Sequence, residues 1–246
     1  MARRRFFVDE IRNGSAELHG DEARHLTRVL RVEPGQRFEI SDNRAVWLAE
    51  ITEARGERVV FRAIEPLATV AAAVHLTLIA AIVKFDRFEW IVEKATELGV
   101  ERIVPMEAAR TEKGLFEASR KRAERWRRVA RESSQQSRRT SMPEIAPAVR
   151  FDACLAEPAD YRYFMDEAGA PPLLSRLQEH RSAADRVAIL LGPEGGWTDG
   201  ERQAATDAGW MPSSLGPLIL RAETAAVAAL AVVCNAWLTW NITTID

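Results

Sequence analysis

The sequence predicts an α/β protein: a mostly parallel sheet covered by helices on both faces, preceded by a small β-rich domain. Three observations carry this. From about residue 74, short apolar runs alternate with amphipathic stretches of helical period, the pattern of strand and helix units in a parallel sheet. The first seventy residues instead hold several short strand-like runs broken by turn chemistry at Glu33-Pro-Gly-Gln36 and Ala54-Arg-Gly-Glu57, which reads as a small barrel or sandwich. Finally, 246 residues with 47% hydrophobic content, seven Trp and nine Phe suffice for one large or two unequal domains and exclude a mainly disordered chain.

The elements follow in order. Strands are expected at Arg5 to Val8, Phe38 to Ser41, Val46 to Ile51 and Arg58 to Ala63, around one helix from Asp21 to Leu30 capped by Asp21. Pro66 and the Ala-rich Ala68 to Ala73 read as a linker, so the domains are taken as 1–70 and 74–246. The second begins with an apolar strand, His75 to Ile82. A helix then runs from Asp86 to Leu98 with Phe88, Ile91, Val92, Ala95 and Leu98 on one face, ended by Gly99. Arg102 to Met106 is the next strand, and Glu117 to Ser134 an amphipathic helix that buries Trp126, Val129 and Ala130. Tyr161 to Met165, Val187 to Leu191 and Leu218 to Leu220 read as further strands, with helices near Leu173 to His180, Gly200 to Gly209 and Glu223 to Trp240.

Composition excludes several classes. The longest unbroken apolar run, Ala225 to Cys234, is ten residues, short of the roughly 20 that a transmembrane helix needs. The basic start Arg3-Arg-Arg5 is followed by Asp9 and Glu10 where a signal peptide has its apolar stretch, so a cytoplasmic protein is expected. Cys154 and Cys234 stand 80 residues apart, and His19, His25, His75 and His180 lack ligand spacing; neither a disulfide framework nor a metal site is readable.

The net charge of −2 conceals an asymmetry. Residues 110 to 150 carry 12 basic and 5 acidic side chains, net +7, while residues 151 to 246 carry 6 and 13, net −7. Such density suggests a polyanionic partner such as nucleic acid; the other reading is a solvated helix face.

Two motifs bear on chemistry. Val187-Ala-Ile-Leu-Leu-Gly-Pro-Glu-Gly-Gly-Trp197 is an apolar strand running into a turn with three glycines, where a ligand can approach the main chain closely. It contains no P-loop, and Gly-x-Gly-x-x-Gly occurs nowhere in the chain. Its Gly-x-x-Gly follows a strand, where a KH clamp needs a helix. A tight turn without a ligand is the plainer reading. In Leu215-Gly-Pro-Leu-Ile-Leu-Arg-Ala-Glu-Thr-Ala225, Glu223 opens a helix, where it favours the dipole. Arg221 stands between strand and helix and either pairs with an acid or faces a ligand. The helix after it is apolar on every side and must be covered all round.

Gly192-Pro-Glu-Gly-Gly196, followed by Leu215-Gly216 and Leu220-Arg-Ala-Glu-Thr-Ala225, resembles the signature of the RsmE family, SPOUT-superfamily methyltransferases acting on a uridine N3 of 16S ribosomal RNA. The likeness extends to Glu93-Lys-Ala-Thr-Glu-Leu-Gly-Val100, Arg125-Trp126 with Gln136-Ser137-x-Arg139, and His25-Leu-x-x-Val-Leu-Arg31, so nearly the whole chain is covered. The resemblance implies a PUA-like N-terminal domain, a SPOUT-type α/β domain with a deep trefoil knot, bound S-adenosyl-L-methionine, and a homodimer acting on 16S rRNA or the assembled small subunit. Gln135 departs from the Glu usual in the family.

By the same resemblance, the backbone of Leu191, Gly192, Pro193, Glu194, Gly195 and Gly196, with that of Leu215, Gly216 and Leu220, cradles the cofactor. Arg221 faces uracil, and either Glu194 or Glu223 is the base or orients Arg221. Arg3, Arg4, Arg5, Arg28 and Arg31, with Arg122, Arg128, Arg138 and Arg139 of the basic cluster, are expected to hold RNA phosphates. The competing classes are a non-catalytic RNA-binding module, a methyltransferase of this type with another RNA target, and an α/β enzyme with a different small substrate.

Overall fold

The computed structural model describes residues 4–69 and 71–243, residues 239–243 by their backbone alone. It divides into two compact units, one holding the chain up to Ala71 with Ser134–Met142, the other holding the rest.

The first unit runs β1 (Arg5–Phe7), β2 (Ser15–His19), α1 (Gly20–Arg24), a π-helical turn (His25–Val29), β3 (Arg37–Ser41), β4 (Val46–Arg55) and β5 (Arg58–Leu67). The sheet order is β1-β3-β4-β5-β2, antiparallel except for the β1–β3 pair. Phe6, Leu26, Ile40, Ile51, Val59 and Phe61 fill its core. Sequence reading misses β2, whose alternation is carried by two small spans only, Ala16 and Leu18. Pro66 belongs to β5 and not to a linker. β2 pairs only with Arg58–Arg62, so beyond that point β5 is an edge and a missing N–H is tolerated. The expected Asp21 cap is not formed: His19 is the N-cap residue, without a side-chain bond, and Asp21 pairs with Arg24. Ser134–Met142 belongs here because Arg5 Nη1 donates to the Arg138 carbonyl (2.5 Å), Ser41 Oγ to that of Thr140 (2.5 Å), and the Met142 N–H to Asn43 Oδ1 (2.9 Å).

The second unit contains β6 (His75–Ala81), α2 (Phe85–Glu97), β7 (Arg102–Glu107), α3 (Leu115–Gln136), β8 (Glu144–Ile145), β9 (Val149–Arg150), α4 (Phe151–Cys154), β10 (Tyr161–Met165), α5 (Leu173–Arg176), β11 (Arg186–Leu191), α6 (Asp199–Asp207), β12 (Met211–Ser213) and α7 (Ala222–Thr243). Its strands are ordered β12-β10-β11-β6-β7-β8, with β9 also on β7, and every pairing is parallel. Alternation splits each strand between two cores. Leu76, Leu78 and Ile189 meet Phe88 and Ile91 of α2, Trp126 of α3, and Val233 and Trp237 of α7. Ile79, Val104 and Leu190 meet Phe151, Trp197, Ala205 and Trp210. The parallel sheet covered on both faces is thus present.

Two expectations are corrected. Leu218 to Leu220 is not a strand: the segment is irregular, with Leu218 at 77% and Ile219 at 87% exposure, and the edge strand is Met211–Ser213 instead. An apolar run of three residues signals burial only if a neighbouring strand receives it, and none does. The helix near Leu173 stops at Arg176. No helix among the described residues is long and apolar enough to cross a membrane.

Candidate active site

β11 ends at Leu191 and delivers the glycine loop to the carboxyl edge of the sheet, where α/β proteins bind ligands. Trp197 anchors the loop's far end. Its ring is buried, stacks on Phe164 with centroids 4.7 Å apart, and donates Nε1–H to the Met165 carbonyl at 2.8 Å. A Cβ on Gly192 would lie 2.7 Å from that ring, and one on Gly196, where φ is +68°, would lie 2.5 Å from Glu167 Oε1. Gly192 is therefore required by packing against a rigid buried ring, and Gly196 by its left-handed backbone, since the Glu167 carboxylate is the movable end of a part-exposed side chain. Thr198 then caps α6: its Oγ1 accepts the Glu201 N–H at 3.2 Å, and Glu201 Oε2 accepts the Thr198 N–H at 2.9 Å, a reciprocal box that fixes the helix start. Glu201 Oε1 also accepts the Ala109 N–H at 2.8 Å, tying the loop after β7 to this end of the sheet.

The segment from Leu215 to Arg221 stands across from the glycine loop, and a cavity of about 520 Å³ lies between them. Leu191, Gly192, Pro193, Glu194, Gly195, Gly196, Leu215, Gly216 and Leu220, the residues expected to hold a cofactor, all line it, as does Arg221. The volume falls in the range of roughly 300–1,000 Å³ usual for small-molecule pockets. Main-chain groups, three carboxylates and two guanidinia face it, which suits a polar molecule bearing positive charge.

The three residues expected to take part in chemistry separate. Arg221 is exposed, lines the cavity, and makes no ion pair among the described residues, so of the two alternatives open to it, pairing with an acid is not seen and facing the cavity is. Glu194 also lines the cavity and forms an ion pair with Arg87 of α2. Glu223 occupies the first turn of α7, does not line the cavity, and has Oε2 buried without a hydrogen-bond partner among the described residues.

Five residues went unnoticed in the sequence, one of them Arg87, which lines the cavity beside its partner Glu194. Asp166 and Glu167 directly follow β10 and line the cavity; the signal was there, since acids at the carboxyl end of a predicted parallel strand stand where ligands bind. Arg110 Nη1 donates to the Gly195 carbonyl at 2.8 Å. Arg202, one turn into α6, binds Asp166, and no pattern in the sequence announces it.

The basic residues fare unequally. Arg3 lies outside the described residues. Arg5 is buried and committed internally, to Glu39 at 2.9 Å and to the Arg138 carbonyl, so the structure corrects its assignment as a phosphate contact. Arg4, Arg28 and Arg31 are exposed, with Arg31 in the left-handed region at φ +51°. Most other arginines of that unit face acids, as with Arg58 and Glu17 (2.7 Å) or Arg62 and Glu50 (2.9 Å), whereas Arg28 and Arg31 have no acidic partner among the described residues. In the second unit Arg128 is exposed, while Arg122 lies over the Phe85 ring at 4.8 Å and 3.8 Å from Glu89. Arg138 is exposed at φ +56°, and Arg139 donates Nε–H to the Ser141 carbonyl at 3.0 Å. Among the described residues, no group of three or more His, Cys, Asp or Glu is placed to hold a metal ion.

An all-parallel α/β unit with a glycine-walled cavity at its strand ends, joined to a small β-rich module, defines the class as an RNA methyltransferase: residues 71–234 match the RNA methyltransferase domain family and residues 18–64 the RNA methyltransferase PUA domain family. The chain is 32% identical over 222 residues to the ribosomal RNA small subunit methyltransferase E of Synechocystis, covering 88% of this chain and 70% of that protein. It is 26% identical to the Bacillus subtilis protein of the same name, over 93% and 95%. Among solved structures, the Neisseria gonorrhoeae methyltransferase E bound to S-adenosyl methionine superposes with a TM-score of 0.86 at 29% identity, covering 96% of this chain and 98% of that one. A Legionella pneumophila methyltransferase with bound cofactor SAM gives 0.87 at 27%, over 96% and 98%. The chain belongs to the ribosomal RNA small subunit methyltransferase E family.

Proposed function

We propose that this chain transfers the methyl group of S-adenosyl-L-methionine to N3 of a uridine in 16S ribosomal RNA of the small subunit, acting as a cytoplasmic homodimer. The observation that carries this reading is the convergence of Leu191–Gly196, Leu215–Leu220 and Arg221 on one cavity. The residues present suit the cofactor. Glycines whose Cβ positions are already filled bring backbone to the cavity wall, and Asp166, Glu167 and Glu194 offer carboxylates to a cationic ligand. The family's trefoil knot is part of the same proposal.

When bound, the cofactor supplies an electrophilic methyl on its sulfonium. The chain must hold the uracil, remove its weakly acidic imide proton and stabilise the resulting charge. Arg221 stabilises the negative charge on the uracil oxygens with its guanidinium. Of the two acids, Glu194 is favoured as acceptor of the N3 proton, because it lines the cavity and Arg87 orients it, whereas Glu223 stands outside. The target base leaves any stack to reach the cavity. Arg4, Arg28, Arg31, Arg128, Arg138 and Arg139 hold phosphates, and the PUA-like unit contributes the first three with the last two.

The homodimer reading rests on α7. Its inner side packs in the core, while Thr224, Val227, Ala228, Ala231 and Leu238 form an outer stripe of small and apolar residues that is only partly covered. Calorimetric titration with S-adenosyl-L-methionine, followed by transfer of labelled methyl to 16S RNA and to assembled small subunits, tests the function. Absence of cofactor binding by the folded protein sinks it. Binding with methylation of a different RNA redirects it to another target.

A further inference from the structure

We propose that Arg202 is a positioning residue of the cavity, acting on the cofactor site without touching it; this rests on the methyltransferase reading. Arg202 does not line the cavity, yet its guanidinium reaches three of the residues that do. Its Nε donates to both oxygens of Asp166, at 3.0 and 3.2 Å, its Nη1 to the Trp197 carbonyl at 3.0 Å, and its Nη2 stands 3.7 Å from Glu167 Oε1. A further contact, Nη1 to Asp199 Oδ1 at 3.2 Å, ties it to the first turn of its own helix.

These partners belong to separate segments. Asp166 and Glu167 extend β10, and the Asp166 N–H donates to the Ser213 carbonyl of β12 at 2.9 Å. Trp197 ends the glycine loop. One guanidinium thus ties the β10 end and the glycine loop, which form one side of the cavity, to the α6 start. The Asp166 side chain is 8% exposed and Arg202 26% exposed, so the pair is shielded enough for geometry to count. A planar, charge-bearing fork with donors in fixed directions suits this task, and a lysine ammonium offers no equivalent geometry. Glu167 gains its place in the same way. Its Oε1 fills the space a Cβ on Gly196 would need, and the Arg202 Nη2 lies behind it.

Removing the fork leaves the Asp166 carboxylate with the Ala168 N–H (3.1 Å) but no cation, and takes the Arg202 donor from the Trp197 carbonyl, so the wall relaxes. The cofactor then meets a less ordered cavity, while RNA contacts elsewhere stay intact. The expected signature of Arg202→Ala is a Kd and KM for S-adenosyl-L-methionine raised by roughly tenfold, with kcat at saturating cofactor and KM for RNA within twofold of the parent. Arg202→Lys is expected to recover only part of the loss, and Arg202→Ala combined with Asp166→Asn to be no worse than the more damaging single change. Calorimetric Kd values for the cofactor, taken well below each variant's melting temperature, are the primary readout. An unchanged Kd in folded Arg202→Ala overturns the proposal, as does full recovery by lysine or additive losses in the double variant. If Arg202→Ala does not fold, Arg202→Lys and Asp166→Asn carry the test by the same Kd criterion. A parent protein that binds no cofactor would instead overturn the functional reading beneath it.

Discussion

The ring of Trp197 stands where a Cβ on Gly192 would be, 2.7 Å from that position. The tryptophan is held from behind by Phe164 and by its bond to the Met165 carbonyl, so it cannot swing aside without breaking the core. The glycine loop is shaped by a buried aromatic as much as by its own glycines.

Gly192→Ala is therefore expected to overpack the site and to cost about 1–3 kcal/mol of stability, together with cofactor affinity. Gly216 differs. Nothing lies within 4 Å of its Cβ position, but its φ is +124°, a conformation strained for any other residue, so Gly216→Ala is expected to distort the backbone without a clash. Urea unfolding and calorimetry on both variants check the contrast, and equal stability of Gly192→Ala and parent would contradict it.

Division of labour among arginines is the second expectation. Arg128→Ala should lower RNA affinity and flatten its log-log salt dependence by roughly 0.7 to 0.9. Arg122→Ala should do less, because Glu89 and the Phe85 ring already engage that guanidinium. Arg221→Ala should depress the single-turnover methyl-transfer rate at saturating RNA while leaving the salt slope unchanged. Equal losses of affinity in all three, with no loss of rate, would remove Arg221 from the chemistry.

Burial sets the alkaline limit of stability. Desolvation, reinforced by Glu157, pushes the Cys154 thiol up from 9.0 to about 12, and desolvation likewise moves the Tyr163 hydroxyl from 10.0 to about 12. Between the usual and the raised values the folded chain keeps a proton that the unfolded chain releases, so the contribution of these two groups to stability is constant below about pH 9 and falls as pH rises toward 12. Urea midpoints at pH 8, 9, 10 and 11 should trace that fall, more shallowly in Cys154→Ala. At pH 8 a thiol reagent should label Cys154 only after unfolding.

The outer stripe of α7 gives a test of assembly. Ala231→Glu places a charge in its middle and should convert a dimer into a monomer by light scattering, with helix content unchanged by circular dichroism. A parent protein that is already monomeric at micromolar concentration would refute the dimer.

By itself, the sequence determined the class of fold, the longer helices α2, α3, α6 and α7, and the two loops that meet at the cavity. Those features are local: period 3.6 or 2 in the apolar residues, glycine at turns, a run of strand formers ahead of a glycine. Leu215–Arg221 was legible as a motif, though not as the irregular, exposed segment it is, because composition cannot say whether a neighbouring strand will receive an apolar triplet. What only the tertiary structure decided is which charges are free. Arg5 and Arg28 look alike in the chain, but Glu39 and a carbonyl 133 residues away absorb the first and nothing among the described residues absorbs the second. Arg202 and Asp166 are 36 residues apart, Glu194 and Arg87 farther still, and Glu223 sits two residues from Arg221 yet outside the cavity. Pairing of side chains depends on distances that the parallel crossovers of the sheet create, and the sequence holds no local record of them.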